Sequence, residues 1–325
     1  MGMLVDGQWR DEDPVNEIGK AGNFQRVDSI FRDRITADGS SGFPAEAGRY
    51  HLYVAYTCPW AHRTQIFLAL KKLTGLISVA IAVPGLREQG WTFEDNPAFP
   101  DCTPDRVNGF RYLHQAYSAS NPHYTGKVTV PTLWDKKTKR IVNNESSEII
   151  RMLNSEFGAF GADPTDFYPK HLRAEIDRIN EQVYTNVNNG VYRCGFAKSQ
   201  AAYEEAYDGL FATLDELEAL LSQRRYLTGD AITEADWRLF PTLARFDVAY
   251  FSIFKCNRQR IADFPNLSNY ARDLYGQPGV AATVKPRYYV INYYTIPKVN
   301  PTGIVPKGTP ADFSQPHDRA RLEKR

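Results

Sequence analysis

The feature that most constrains this chain lies between residues 50 and 83. Tyr50-His51-Leu52-Tyr53-Val54-Ala55-Tyr56 is rich in aromatic and β-branched residues and reads as a strand. Thr57-Cys58-Pro59 interrupts it. From Pro59 the apolar residues Ile66, Phe67, Leu70 and Leu73 recur at the spacing of one helical face, and Gly75 is the stop. Ile77-Ser78-Val79-Ala80-Ile81-Ala82-Val83 follows as a nearly all-apolar run, which suits a strand covered on both faces. Strand, helix and strand make a βαβ unit. The two strands are therefore expected to be parallel, with a right-handed crossover.

The rest of the chain is arranged around that unit. Residues 1–47 carry scattered Gly, Pro and charge and read as an arm, whose aromatic residues favour wrapping over a domain. Residues 84–126 read as a long loop, a length that inside a domain points to function. Val128-Thr129-Val130-Pro131-Thr132-Leu133-Trp134 is a third strand, joined through a polar turn to Ile141-Val142 as a hairpin. Glu145-Ser146-Ser147-Glu148 then opens a helix. The order β-α-β-loop-β-β-α is the thioredoxin topology. Beyond Pro169 the pattern is helical, over about 170–189, 199–223, 234–250 and 266–285, the last in two pieces. Thr233 with Asp236 reads as a helix start, and Ile232 with Trp237 as its hydrophobic staple. A tail, 286–325, is rich in Pro and Tyr and then charged. The expected organisation is an arm at 1–47, a thioredoxin-like α/β domain at 48–160, an all-α domain at 161–290 and a tail at 291–325. The length of 325 residues accommodates two domains.

Composition removes several classes of function. Lys+Arg 39 against Asp+Glu 38 leaves a net charge of +1, which argues against nucleic acid or an anionic membrane as the main partner. No apolar run approaches the ~20 residues that span a bilayer, and the start does not read as a secretory signal, so a cytoplasmic protein is expected. The four cysteines, Cys58, Cys102, Cys194 and Cys256, form no CxxC pair, so neither a metal site nor a disulfide framework is indicated.

Cys58 stands out because it ends a strand and precedes a helix whose first residue is Pro59. Unpaired N–H groups at a helix start favour thiolate. His62 and Arg63, one turn on, are further sources of positive charge. The competing reading is a buried core cysteine. Without a resolving cysteine nearby, a nucleophile here needs an external thiol to complete its cycle. Val130-Pro131 occupies the place of the cis-proline of thioredoxin folds, where the Val130 backbone can pair with an extended peptide. Glu145-Ser146 opens a second helix, where free N–H groups bind a carboxylate and Glu145 holds an ammonium; plain capping by Asn144 or Ser146 is the alternative. A thiolate, a backbone edge and a carboxylate-binding helix start together fit glutathione.

Several motifs carry a resemblance. Cys58-Pro59-Trp60-Ala61-His62-Arg63-Thr64, Gly90-Trp91, Val130-Pro131-Thr132-Leu133-Trp134-Asp135, Asn144-Glu145-Ser146-Ser147-Glu148-Ile149, Val191-Tyr192-Arg193-Cys194-Gly195-Phe196-Ala197 and Asn300-Pro301-Thr302-Gly303-Ile304-Val305-Pro306 resemble the glutathionyl-hydroquinone reductases, the Xi class of glutathione transferases. The likeness covers nearly the whole chain, including Phe24-Gln25-Arg26. It implies the glutathione-transferase fold, a homodimer, and glutathione as co-substrate with no metal. The implied reaction reduces a glutathionyl-hydroquinone with a second glutathione, through a mixed disulfide on Cys58. By the same resemblance Trp91, Lys127, Val128, Thr129, Val130, Glu145 and Ser146 bind glutathione. Tyr192 is then the proton donor to the aromatic substrate, and Tyr250 and Tyr293 help to lower the cysteine pKa. Lys127 stands where the family has Arg, which keeps the charge and loses the planar fork. The run Asn292-Tyr293-Tyr294-Thr295-Ile296-Pro297 keeps the family's tyrosine among altered neighbours. Two rivals remain: a transferase or dehalogenase acting on aromatic electrophiles, and a non-catalytic aromatic-ligand-binding protein of the same fold. Conjugation normally uses Ser or Tyr, so Cys58 argues against the first. A pure binding module need keep neither Cys58 nor Glu145-Ser146.

Overall fold

The computed structural model describes residues 2–11, 17–85, 88–308 and 312–322. They form two compact units. One contains residues 2–11 and 27–165, the other residues 17–26 and 166–322.

The first unit is built on a four-stranded sheet of β3 (Tyr50–Val54), β4 (Ser78–Ile81), β5 (Thr132–Asp135) and β6 (Arg140–Asn143), in the order β4-β3-β5-β6. β3 and β4 are parallel, joined through α1 (Pro59–Leu70), as the βαβ reading requires. β5 pairs antiparallel with β3 and with β6. All five residues of β3 are buried, which explains its lack of polar alternation. α3 (Ser146–Ser155) packs on α1. At the sheet's end a buried bidentate pair ties β3 to β5: Arg49 donates from Nε and Nη2 to Asp135 at 2.8 and 2.6 Å.

In this unit three details differ from the sequence expectations. The 84–126 segment contains a helix, α2 (Leu113–Ser120), started by a reciprocal cap between Tyr112 and Gln115 and packed on β6. The third strand begins at Thr132, which leaves Val128–Pro131 outside the ladder. The arm carries an antiparallel hairpin of β1 (Met3–Val5) and β2 (Gln8–Arg10), turned at Gly7 with φ +72°.

The second unit is helical. α4 (Arg173–Val183) passes through a π-helical turn at Tyr184–Asn188 into α5 (Gly190–Phe196), so this rod runs beyond its expected end at 189. α6 (Gln200–Leu221) is capped by the Ser199 hydroxyl. α7 (Glu234–Arg245) has the expected cap, with Thr233 and Asp236 bonding reciprocally. A second π-helical turn, Phe246–Tyr250, leads into α8 (Phe251–Ile253), followed by α9 (Pro265–Tyr275). Part of the expected tail is helical as well: α10 (Pro286–Tyr294) starts on a proline and buries Tyr288, Tyr289, Asn292, Tyr293 and Tyr294. Among the described residues no helix is long and apolar enough to cross a membrane.

Candidate functional site

Cys58 is the N-cap residue of α1, with extended backbone at φ −84° and ψ 122° and Pro59 as the first helical residue. The first intrahelical bond, from the His62 N–H to the Cys58 carbonyl, measures 3.0 Å. The thiol therefore sits where the opening N–H groups of α1 concentrate positive potential. Cys58 is partly exposed, whereas Cys102, Cys194 and Cys256 are buried. Burial pushes the Cys102 thiol up to about 12 and the Cys256 thiol well above its ordinary value, which disfavours nucleophilic chemistry at both.

The Cys58 Sγ lies 3.4 Å from the carbonyl oxygen of Val130, and the Val130–Pro131 peptide is cis. Among the described residues no acceptor lies within reach of the Val130 N–H. Its neighbour is fixed by a hydroxyl hub. Tyr117 donates to the Thr129 carbonyl at 3.0 Å, accepts from the Thr129 N–H at 3.2 Å, and accepts from the Asn144 amide at 3.0 Å. α2 thus holds the strand end beside the thiol. Nothing local in the sequence marks Tyr117, which lies in a stretch expected to be loop and is helical.

Glu145 is the N-cap of α3. Its carboxylate accepts from the Ser147 N–H at 3.0 Å and from the Ser147 hydroxyl at 2.9 Å. Capping therefore falls to Glu145 itself, not to Asn144 or Ser146. Ser29 of the arm donates to the same carboxylate at 3.2 Å. The buried Ser146 hydroxyl accepts from Arg63 Nη1 at 3.3 Å, and the guanidinium lies over the Trp60 ring, 4.6 Å from its centroid. Arg63, expected only as a source of positive charge, links the start of α1 to the start of α3. Lys127 and Val128 are half-buried and Thr129 is exposed; the Lys127 carbonyl accepts from the Tyr124 hydroxyl at 2.8 Å. Trp91 is half-buried, and its carbonyl accepts from the Leu113 N–H at the start of α2. The first unit thus brings Cys58 and Val130 together and places Ser146 against Arg63.

The second unit brings together the three tyrosines singled out from the sequence. The Tyr293 hydroxyl lies 2.7 Å from that of Tyr192 and 2.8 Å from that of Tyr250. Phe254 packs against all three rings, with centroids 5.4–5.5 Å apart. Tyr250 and Tyr293 are buried, and burial pushes both phenols well above their ordinary value, so they stay protonated as hydrogen-bond partners. Tyr192 is partly exposed and heads the chain. Among the described residues no cluster of three or more His, Cys, Asp or Glu is placed to hold a metal ion.

Comparison with known proteins agrees with this division. Residues 57–156 match the family model of the glutathione S-transferase N-terminal domain, and residues 200–273 that of the C-terminal domain. Over 309 residues the chain is 53% identical to the glutathionyl-hydroquinone reductase PcpF of Sphingobium chlorophenolicum, covering 95% of this chain and 96% of that one. It is similar to the glutathione-bound structure of YqjG from Escherichia coli K-12, with a TM-score of 0.90, 46% identity and coverage of 98% and 99%. A Xi-class transferase from Natrialba magadii gives a TM-score of 0.91 at 44% identity, covering 99% of this chain and 97% of its own. The chain belongs to the glutathionyl-hydroquinone reductases, the Xi class of the glutathione transferases.

Proposed function

We propose that this protein uses glutathione to reduce glutathionyl-hydroquinones to hydroquinones, with Cys58 as nucleophile and Tyr192 as proton donor. The observation that carries the reading is the placement of Cys58: a partly exposed thiol at the N-cap of α1, beside the Val130 carbonyl and an N–H with no partner among the described residues. The first step has the Cys58 thiolate attack the glutathionyl sulfur. The aryl C–S bond breaks, its electron pair goes to the ring, and the ring takes a proton from the Tyr192 phenol. Hydroquinone leaves, and a Cys58–glutathione disulfide and a Tyr192 phenolate remain. In the second step the sulfur of a second glutathione attacks that disulfide. Glutathione disulfide leaves, Cys58 returns to thiolate and the thiol proton restores Tyr192. The sum is reduction of one substrate by one glutathione, and no protein dithiol is needed.

The same reading gives Trp91, Lys127, Val128, Thr129, Val130, Glu145 and Ser146 the glutathione contacts. Val130 offers backbone pairing, the α3 start accepts a carboxylate, and Glu145 takes the ammonium group. It keeps the division into a glutathione domain over 48–160 and a substrate domain over 161–290, flanked by arm and tail, in a homodimer of the cytoplasm.

The test is hydroquinone release from a glutathionyl-hydroquinone in the presence of glutathione. Cys58→Ser should abolish release, and mass spectrometry of the native enzyme without added glutathione should find Cys58 glutathionylated. Equal release by both proteins would remove the mechanism.

A further inference from the structure

Residues 17–26 bring a cation to the tyrosine cluster of the helical unit. The segment folds on itself through bonds from the Gln25 N–H to the Glu17 carbonyl (2.6 Å) and from the Gly19 N–H to the Asn23 carbonyl (2.8 Å). It is fastened to the start of α6 by the Lys198 N–H, which donates to the Gly22 carbonyl at 2.8 Å, and by the Ser199 hydroxyl, which donates to the Ala21 carbonyl at 2.7 Å. The Phe24 ring packs on Phe196, with centroids 5.5 Å apart. At the end of this strap Arg26 donates from Nε to the Asn189 side chain at 2.7 Å, and its guanidinium carbon lies 4.9 Å from the centroid of the Tyr192 ring.

Tyr192 packs against Phe196 and Phe254, and the ionisable groups that act on it include two phenols and a second cation. Tyr293 comes from α10, Tyr250 from the second π-helical turn, and Arg245 from the end of α7. Arg245 is fully buried against the Tyr289 ring at 3.8 Å, and its charge acts on Tyr250, Tyr293 and Tyr192. We propose that Arg26 is a positioning residue for proton transfer from Tyr192: its guanidinium, held on the ring face, stabilises the phenolate left when the proton goes to the aromatic product. This rests on the reaction proposed above.

The guanidinium binds the two protonation states of Tyr192 unequally. A neutral phenol attracts the guanidinium only through its ring quadrupole. A phenolate spreads a full negative charge over the same ring, so the attraction grows as the proton leaves. Interactions that strengthen in this way accelerate the step. In the second step the proton of the incoming glutathione thiol returns to Tyr192, and the charge on the ring is cancelled.

The experiment compares the native enzyme, Arg26→Met, Arg26→Lys, Tyr192→Phe and the double variant Arg26→Met/Tyr192→Phe. Hydroquinone release is followed from about pH 6 to 10, and tyrosinate formation is titrated by ultraviolet absorbance. Removing the cation raises the pKa of the phenol beneath it. Arg26→Met should therefore lower kcat/KM about three- to tenfold and move the alkaline limb of the profile upward. Arg26→Lys should restore the limb. In the Tyr192→Phe background Arg26→Met should have no further effect. A residue that merely anchors the strap would lower the rate equally in both backgrounds and leave the limb in place; that result would overturn the proposal, as would an unchanged tyrosinate titration in Arg26→Met. The titration needs no turnover. Cys58-independent release would therefore sink the reaction scheme, while an altered titration would still establish the coupling of Arg26 to Tyr192.

Discussion

Tyr293 bridges two hydroxyls, and the asymmetry of that bridge predicts an order of stabilities. Tyr250 is fully buried and its hydroxyl bonds to Tyr293 at 2.8 Å. Tyr192 is partly exposed and bonds to Tyr293 at 2.7 Å. Tyr293→Phe deletes both bonds, worth about 0.5–1.5 kcal/mol net each, and strands the Tyr250 hydroxyl away from water, at a further 1–3 kcal/mol or so. Solvent can repair Tyr192 but not Tyr250. The expected loss is about 2–4 kcal/mol. Tyr250→Phe deletes one bond and leaves Tyr293 paired with Tyr192, so about 1 kcal/mol is expected. The double variant no longer holds a stranded hydroxyl. It should fall short of the sum of the singles by about 1 kcal/mol or more. Urea denaturation at constant m measures all three, with tyrosine absorbance and far-ultraviolet circular dichroism as coincident probes. If Tyr250→Phe costs as much as Tyr293→Phe, or the two losses simply add, the hydroxyl chain is not the unit described.

Three further outcomes are expected. Arg49→Met leaves the buried Asp135 carboxylate without its bidentate partner and should cost about 3–5 kcal/mol in urea denaturation; a loss below about 1 kcal/mol would contradict the pairing. Burial holds the neutral form of His51, with a pKa lowered to about 4 and the Asp105 carboxylate pulling the other way. A folded-state value below the unfolded value near 6.5 means that this contribution is full above pH 6.5 or so and is lost as the pH falls towards 4. His51→Gln should flatten that part of the stability profile relative to the native protein, and superimposable profiles would refute it. Glu145→Gln can still cap α3 but loses its charge, so KM for glutathione should rise about tenfold with the pH dependence of Cys58 alkylation unchanged; an unaltered KM would remove Glu145 from the ammonium contact.

What could be read from the sequence was whatever local chemistry imposes. The βαβ unit, the Cys58-Pro59 junction and the Thr233–Asp236 cap follow from residue types a few positions apart, and each stands where expected. α2 and α10 were not legible, because their stability comes from elsewhere in the chain. Leu113–Ser120 is short and rich in His, Tyr and Ser, and it is held by the burial of Leu113, Ala116 and Tyr117. Pro286–Tyr294 is dense in β-formers and becomes helical because its tyrosines are buried among helices. The candidate site divides in the same way. Cys58, Val130 and Glu145 were visible as motif residues, and so were Arg63 and Arg26, but not the partners of the last two. Like Tyr117, Arg63 and Arg26 act through partners 12 or more positions away, and neither periodicity nor spacing records such pairings.

The strap at 17–26 also sets an order of events during synthesis. Its partners lie far downstream, with Arg26 and Asn189 separated by 163 positions and Ala21 and Ser199 by 178. At roughly 5–20 residues per second, the strap waits about eight to thirty-five seconds for the helices that receive it. The whole first unit, through residue 165, has emerged by then. The nascent chain must therefore assemble its sheet around a loop that stays undocked, and close that loop only when α5 and the start of α6 arrive. Strap docking is a late event by construction, and a helical domain started at residue 166 would be born without its Arg26.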